Sequence, residues 1–249
     1  MKPWPYPRLI AHRAGGALAP ENTLAAIRFG NSLGYRAVEI DIRFTRDGVA
    51  VLQHDREIDR NTNGKGPIAD HAWSELQSLD AGSWRGEAFR GEPLARLPDA
   101  VALLRSLRMF AHVEIKRVAG RHRECGEQVA RAAASGWKGA AEPPLLISFS
   151  ADALDAAMAA EPTLARGWIV EAPWDGDLSP LEALDAASFH LEHVLITPAL
   201  VEKVHAQGRR ILAWTVNDLA RGEELLAMGV DGIVTDNLRE FATRFPELL

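Results

Sequence analysis

The 249-residue chain is poor in features that mark several common protein classes. It has one cysteine, Cys125, so no internal disulfide can form, and a cytoplasmic, reducing setting is expected. The formal net charge is -6 and no basic stripe is present. That excludes a general nucleic-acid binder, because nothing is placed to neutralise a phosphate backbone. No run approaches the ~20 apolar residues of a membrane span. The opening "MKPWPYPRLIAH" has no apolar leader core before its first strand-like run. Low-complexity tracts and Ser/Gly linkers are missing, which predicts one folding unit over residues 1–249. A G-x-S-x-G elbow and a Rossmann glycine fingerprint are also missing. "NGKG" (63–66) lacks P-loop spacing and reads as a turn. Cys125 falls in a helical run with no nucleophile motif, so it reads as packing.

What is present is alternation. Strand-like runs occupy 8–12, 37–44, 49–54, 110–116, 145–149, 165–170, 188–192, 210–216 and 231–236. Helical runs cover 22–33, 98–107, 121–135, 151–160, 179–187, 198–207, 218–227 and 238–245. This rhythm predicts βα units and a parallel sheet. Asp152, Ser179 and Asn217 are candidate helix caps, Pro180 and Pro198 suit first turns, and Gly34, Gly136, Gly208 and Gly229 suit helix ends.

Only "TRDG" separates 37–44 from 49–54, too short for a parallel crossover, and Asp47-Gly48 is a hairpin signal. These two runs therefore read as one barrel strand extended into a hairpin. Counting outward from the turn pairs 46 with 49 and sets His54 opposite Asp41. Eight barrel strands remain, which predicts an α/β fold of the TIM (β/α)8 type. Residues 55–97 break the rhythm and read as a small inserted cap over the barrel mouth.

Active sites of such barrels sit at the carboxyl ends of the strands. There the sequence places His12, Arg13, Glu39, Asp41, His54, Glu114, Lys116, Trp214 and Asn217. Glu39 and Asp41 are two apart and share a strand face, as do Glu114 and Lys116. Val38, Ile40 and Ile42 suit the helix-packed outside, so the acids face inward. Converging acids need compensation, either from a hard divalent cation or from salt bridges to Arg13 and Lys116. His12 and His54 lie near these acids and suit a general acid/base pair. Arg13 and Lys116 suit an anionic, phosphorylated substrate. Trp214 is usual core chemistry, but a strand-end indole can pack on glycerol carbons or a head group. "HLEH" (190–193) and His112 are weaker ligand candidates: the first lacks a carboxylate partner in its motif, and the second should lie one layer deeper. Asn22 suits either a helix cap or a brace for the metal carboxylates.

The ordered set "AHRAGG…PENT", "VEIDIRFTRDGVAVLQHD", "DRNTNGKG", "LDAGSW", "VEIK", "SF", "WTVN" and "GVDGIVTD" resembles the glycerophosphodiester phosphodiesterases, bacterial cytosolic type, over nearly the whole chain. The resemblance implies a capped TIM barrel and metal-dependent hydrolysis of a small-molecule glycerophosphodiester to sn-glycerol 3-phosphate and an alcohol, by way of a cyclic phosphate or direct water attack. By motif position it implies Glu39, Asp41 and Glu114 as ligands of one Mg²⁺ or Ca²⁺, His12 and His54 as the acid/base pair, and Arg13 and Lys116 as phosphate holders. His12 suits the base and His54 the acid, an order the motifs themselves leave open. One departure stands out: Ala14 replaces the glycine of the usual His-Arg-Gly. If that position needs positive φ, alanine is strained there, although Gly15 and Gly16 suggest a tolerant loop. Competing readings are a lysophospholipase D-like activity on acylated substrates, which needs an apolar mouth, and a non-catalytic phosphate-ester binder, which predicts a lost site residue. Oligomeric state is open, and the exposed helices are able to support a homodimer.

Overall fold

The computed structural model describes residues 4–249. Met1–Pro3, the start of the stretch read for a leader, lie outside the described residues. Nine strands run in order: β1 Leu9–Ala11, β2 Ala37–Phe44, β3 Ala50–Leu52, β4 Phe110–Ile115, β5 Leu145–Ser148, β6 Ala165–Val170, β7 Ser188–Glu192, β8 Arg210–Trp214 and β9 Gly232–Thr235. All but β3 are parallel neighbours, and β1 pairs both β2 and β9, which closes an eight-stranded TIM barrel.

Helices follow the strands: α1 Leu24–Ser32, then α2 Trp73–Leu76 in the insertion, α3 Leu97–Ser106, α4 His122–Gly136, α5 Ala151–Ala160, α6 Ser179–Ala183, α7 Pro198–Ala206, α8 Leu219–Ala227 and α9 Leu238–Arg244. Alternation along β2 does what its sequence suggests. Val38, Ile40 and Ile42 join the apolar layer under the helices, while Glu39 turns into the barrel and lines its central cavity. α4 and α5 approach closely at Gly126, where any side chain runs into the Ala153 backbone. Below the site, Ile10, Ala37, Leu212 and Val234 fill the barrel. Trp4 and Tyr6 close its lower end, and the Tyr6 hydroxyl donates to the Pro144 carbonyl at 3.1 Å.

Several local expectations are corrected. The hairpin pairs Ile42 with Leu52 and Phe44 with Ala50, one residue out of the expected register. Thr45 N donates to the Val49 carbonyl, and Gly48 adopts φ 79°. The loop therefore has three residues, its last in the left-handed region that glycine permits. Asp41 consequently stands opposite Gln53, whose N–H it accepts at 3.0 Å, and His54 lies one step further on. The caps also move. Ser150 rather than Asp152 caps α5 and Asp218 rather than Asn217 caps α8, while Ser179 is the first residue of α6 and not its cap. α6 stops at Ala183, well short of 187, and Asp185 follows with φ 44°. Gly136 is the last residue of α4, with Trp137 in the cap position.

Residues 55–97 form a small apolar cluster of Ile58, Ile68, Leu76, Ala81 and Leu94 around Val51 of β3. The segment returns to the hairpin through Leu52 N to the Ala95 carbonyl, 2.8 Å. "NGKG" is a turn. The Gly64 and Gly66 amides are spent on Thr62 Oγ1 and Asp59 Oδ2, which leaves no phosphate cradle.

Candidate active site

β1 ends at Ala11 and the chain turns sharply over the barrel mouth. Arg13, Ala14 and Asn22 all have positive φ, at 49°, 67° and 58°. Ala14 thus occupies the strained alternative, with its side chain fully buried. Hydrogen bonds from the Gly15, Gly16 and Asn22 amides hold the loop to Arg13 and His12 carbonyls.

The loop delivers His12 to a cavity of about 110 Å³. Arg13, Glu39, His54, Glu114 and Lys116 share its polar side, and Ile147, Ile169 and Val234 form an apolar side. Trp214 also lines it, edge-on to Phe149 with ring centroids 5.4 Å apart. Of the nine residues placed at the strand ends, seven line this cavity; Asp41 lies just beneath the lining and touches Lys116, and Asn217 lies outside it, bonded to Asp236.

Glu39, Asp41 and Glu114 each place a carboxylate oxygen within 4.8 Å of the others, all buried. In the parallel β2–β4 pair Asp41 is level with Glu114, and Glu39 with His112 one layer down. Lys116 Nζ bridges two of the acids, 3.1 Å from Asp41 Oδ1 and 2.8 Å from Glu114 Oε1. The salt-bridge alternative is therefore present in part. Yet it leaves Glu39 Oε1 buried with no partner, while Oε2 accepts the Arg13 amide at 3.0 Å. An oxygen-only donor set with one orphaned buried carboxylate oxygen fits a hard divalent cation. Burial and the neighbouring acids Asp41 and Glu114 push the Glu39 carboxyl well above the carboxylate range. Burial and Asp41 likewise raise Glu114, to about 7. For Asp41 burial works upward, but Lys116, His54 and Arg13 outweigh it and hold the group low.

Asn22 is not a cap, since Thr23 Oγ1 takes the Ala26 amide. Its side chain instead donates to Asp41 Oδ2 at 2.7 Å and accepts the Asp41 N–H at 3.1 Å, which fixes that carboxylate in place.

Each histidine has an aspartate, and neither aspartate was singled out from the sequence. His12 Nδ1 lies 2.7 Å from Asp236 Oδ1. Asn217 steadies Asp236, donating to Oδ2 at 3.1 Å and accepting its N–H at 2.8 Å. His54 Nδ1 lies 2.7 Å from Asp55 Oδ1. Burial opposes ionisation of both aspartates, but hydrogen bonds from the histidines, Asn217 and Arg60 win. Asp236 falls below its ordinary value and Asp55 is pushed down to about 2. An ionised carboxylate can only accept, so each ring carries its proton on Nδ1, which leaves Nε2 as the basic nitrogen; in His12 it lies 3.9 Å from Glu39 Oε2. Burial lowers His54, with Asp41 opposing.

Arg60 is the other residue the sequence did not reveal. It reaches from the insertion to Glu21, at 2.6 and 2.8 Å, and to Asp55 Oδ2 at 2.5 Å. Glu21 also accepts Arg13 Nη1, 3.2 Å from each oxygen. One chain of charge therefore runs Arg13–Glu21–Arg60–Asp55–His54. Of the weaker candidates, His112 is fully buried one layer down with both ring nitrogens unpartnered, and its ring meets that of His190 at 5.5 Å. His190 pairs with Ser188 Oγ at 2.9 Å. Cys125 is buried among helix and sheet side chains.

Known proteins resemble the chain in sequence and fold. A model of the glycerophosphoryl diester phosphodiesterase family matches residues 12–240. A glycerophosphodiester phosphodiesterase of Caldanaerobacter subterraneus subsp. tengcongensis is 32% identical over 233 residues, covering 92% of this chain and 93% of its own. A phosphodiesterase structure from Oleispira antarctica, in complex with the product sn-glycerol-3-phosphate, superposes with a TM-score of 0.90 at 32% identity, covering 97% of each chain. A glycerophosphodiester phosphodiesterase structure from Agrobacterium tumefaciens gives a TM-score of 0.81 at 27% identity, covering 95% of this chain and 99% of that one.

Proposed function

The chain belongs to the glycerophosphoryl diester phosphodiesterase family, and from that premise we propose metal-assisted hydrolysis with His12 and His54 as the acid/base pair. The chain is a glycerophosphodiester phosphodiesterase. The finer reading rests above all on the two Asp–His pairs that flank one small cavity beside three converging carboxylates.

Glu39, Asp41 and Glu114 would hold one divalent cation, Mg²⁺ or Ca²⁺. Such an ion would supply positive charge to offset that developing on the phosphate oxygens. Arg13 and Lys116 add fixed positive charge to the same oxygens. The apolar wall of Ile147, Ile169 and Val234, with Trp214, suits the glycerol carbons. His12 borders this inner cavity, whereas His54 borders both it and a second, outer one. That asymmetry supports His12 as the base on the glycerol side and His54 as the acid on the leaving-group side.

In the first step His12 Nε2 takes the proton of the glycerol 2-hydroxyl. Its oxygen forms a bond to phosphorus while the bond to the head-group oxygen breaks, and protonated His54 gives that oxygen its proton. A phosphodiester anion beside His54 favours the protonated ring that this step needs. In the second step the roles reverse: His54 takes a proton from water, the water oxygen opens the cyclic phosphate, and His12 returns its proton to the 2-oxygen. Asp236 and Asp55 keep both rings in the required tautomer throughout. The barrel with its 55–97 cap works as one unit. We assign the activity to the cytosol, in keeping with a single buried, unpaired Cys125. Among the described residues no helix is long and apolar enough to cross a membrane. The large exposed apolar side chains there are Trp84 and Val194, too few for the apolar mouth that an acylated substrate needs.

The test is ³¹P NMR of glycerophosphodiester turnover. The reading predicts sn-glycerol 3-phosphate with a transient cyclic phosphate, and a His12→Ala variant that forms neither. Turnover undiminished in that variant contradicts it.

A further inference from the structure

The second cavity, about 410 Å³, adjoins the first and shares His54, Glu114, Lys116, Phe149 and Trp214 with it. A phosphodiester has two arms that meet at phosphorus. Two chambers that meet at the acid/base and cationic side chains have the shape to take one arm each. The inner chamber is small and part apolar, while the outer one is larger and rimmed by Arg43, Arg56 and Arg117.

The charges of the outer chamber do not cancel. Glu114 is taken by Lys116, Asp55 by His54 and Arg60, and Glu171 by Arg117 at 2.9 Å. Arg56 has only Glu57 at 3.9 Å. Arg43 is half-buried, and the one hydrogen bond its guanidinium makes among the described residues is Nε to the His54 carbonyl, 2.8 Å. Arg56 and Arg43 therefore lack a close ion pair, with Asp41, Glu114, Asp55 and Glu57 acting on Arg43 only through space, on a protein whose formal net charge is -6. A quaternary ammonium would instead need acidic or open aromatic surface. Of the chamber's two aromatic side chains, Phe149 is covered by the Arg117 guanidinium, 4.8 Å from the ring centre, and Trp214 is packed edge-on against Phe149 at 5.4 Å, so no open aromatic cage is formed.

We infer that the outer chamber is the head-group subsite and that it selects glycerophosphodiesters whose leaving alcohol carries negative charge, over those carrying a quaternary ammonium. This rests on the phosphodiesterase reading above and adds the substrate class. A cationic rim attracts an anionic head group through the field of the whole subsite and repels a choline-like one, most strongly at low salt.

The experiment compares kcat/KM for three esters: glycerophosphocholine, glycerophosphoglycerol, and deacylated diphosphatidylglycerol, whose leaving alcohol bears a second phosphate. At low ionic strength the doubly anionic ester should exceed glycerophosphocholine by about tenfold, and the ratio should shrink at high salt. The double variant Arg56→Glu, Arg117→Glu should cut the ratio at least about fivefold. Should that variant fail to fold, the salt dependence of the wild-type ratio decides alone. Equal or better turnover of glycerophosphocholine, or a ratio indifferent to salt and to the double variant, overturns the inference. Hydrolysis of none of the three refutes the phosphodiesterase reading itself, and the head-group assignment falls with it.

Discussion

Asp236 accepts a hydrogen bond from the His12 ring across the seam where the barrel closes, 2.7 Å between Nδ1 and Oδ1. The two residues are 224 positions apart and meet only because β1 pairs with β9. Asp236→Asn replaces an obligate acceptor with a group that can also donate, which releases the tautomer. Turnover should fall by about 10² to 10³ with KM nearly unchanged, as expected when a base loses its orienting carboxylate. A kcat within a few-fold of wild type removes His12 from the role of base.

Arg60 ties the insertion to both sides of the site through Glu21 and Asp55. Arg60→Ala should lower kcat by about tenfold, because Asp55 and Glu21 then lose a shared partner and both His54 and Arg13 are less firmly held. Arg60→Lys should recover only part of that loss, since an ammonium cannot fork onto Glu21. Full activity in both variants shows that the chain of charge from Arg13 to His54 is incidental.

These two residues mark where sequence reasoning ended. The barrel was legible because β-branched runs alternate with Ala/Leu helices, and the inward face of Glu39 and Asp41 followed from parity alone. Asn22 and Ala14 were flagged, but their roles turned on φ values that no residue pattern prints. The hairpin slipped by one because Asp-Gly serves a two-residue or a three-residue loop equally well, and only the backbone decides. Asp236 was visible as the acid ending a strand, yet its partner lies at the other end of the chain. Asp55 offered only adjacency to His54. Arg60 sits in an aperiodic loop where nothing local gives direction.

Buried His190 makes stability depend on acid. Burial and His112 depress its folded-state pKa well below the usual histidine value. Above about pH 6.5 neither folded nor unfolded chain protonates this ring, and it contributes no pH dependence. Below that, the unfolded chain gains a proton that the folded one refuses, so stability falls by about 1.4 kcal/mol per pH unit. Urea unfolding of wild type and His190→Gln at pH 7 and pH 5 isolates the effect. The gap between them should narrow by about 2 kcal/mol at the lower pH. A constant gap contradicts a neutral buried ring.

Ala14 at φ 67° carries a left-handed penalty of about 1 kcal/mol. Ala14→Gly relieves it but loses about 0.8 kcal/mol of methyl burial and frees the unfolded chain. Melting should therefore move little, with turnover within about twofold, because backbone hydrogen bonds already pin the loop. A large gain in turnover shows that alanine distorts the site.

The most direct measurement is release of sn-glycerol 3-phosphate by metal-stripped enzyme before and after Mg²⁺ or Ca²⁺ is restored, beside Glu39→Gln treated alike. Isothermal titration of each ion into both proteins accompanies it. Negligible turnover is expected without metal, with recovery by at least about 10²-fold on addition, and weak binding with no recovery in Glu39→Gln. Full turnover of the stripped enzyme, or normal metal binding and rescue in Glu39→Gln, contradicts the assignment of Glu39, Asp41 and Glu114 as the centre of this site.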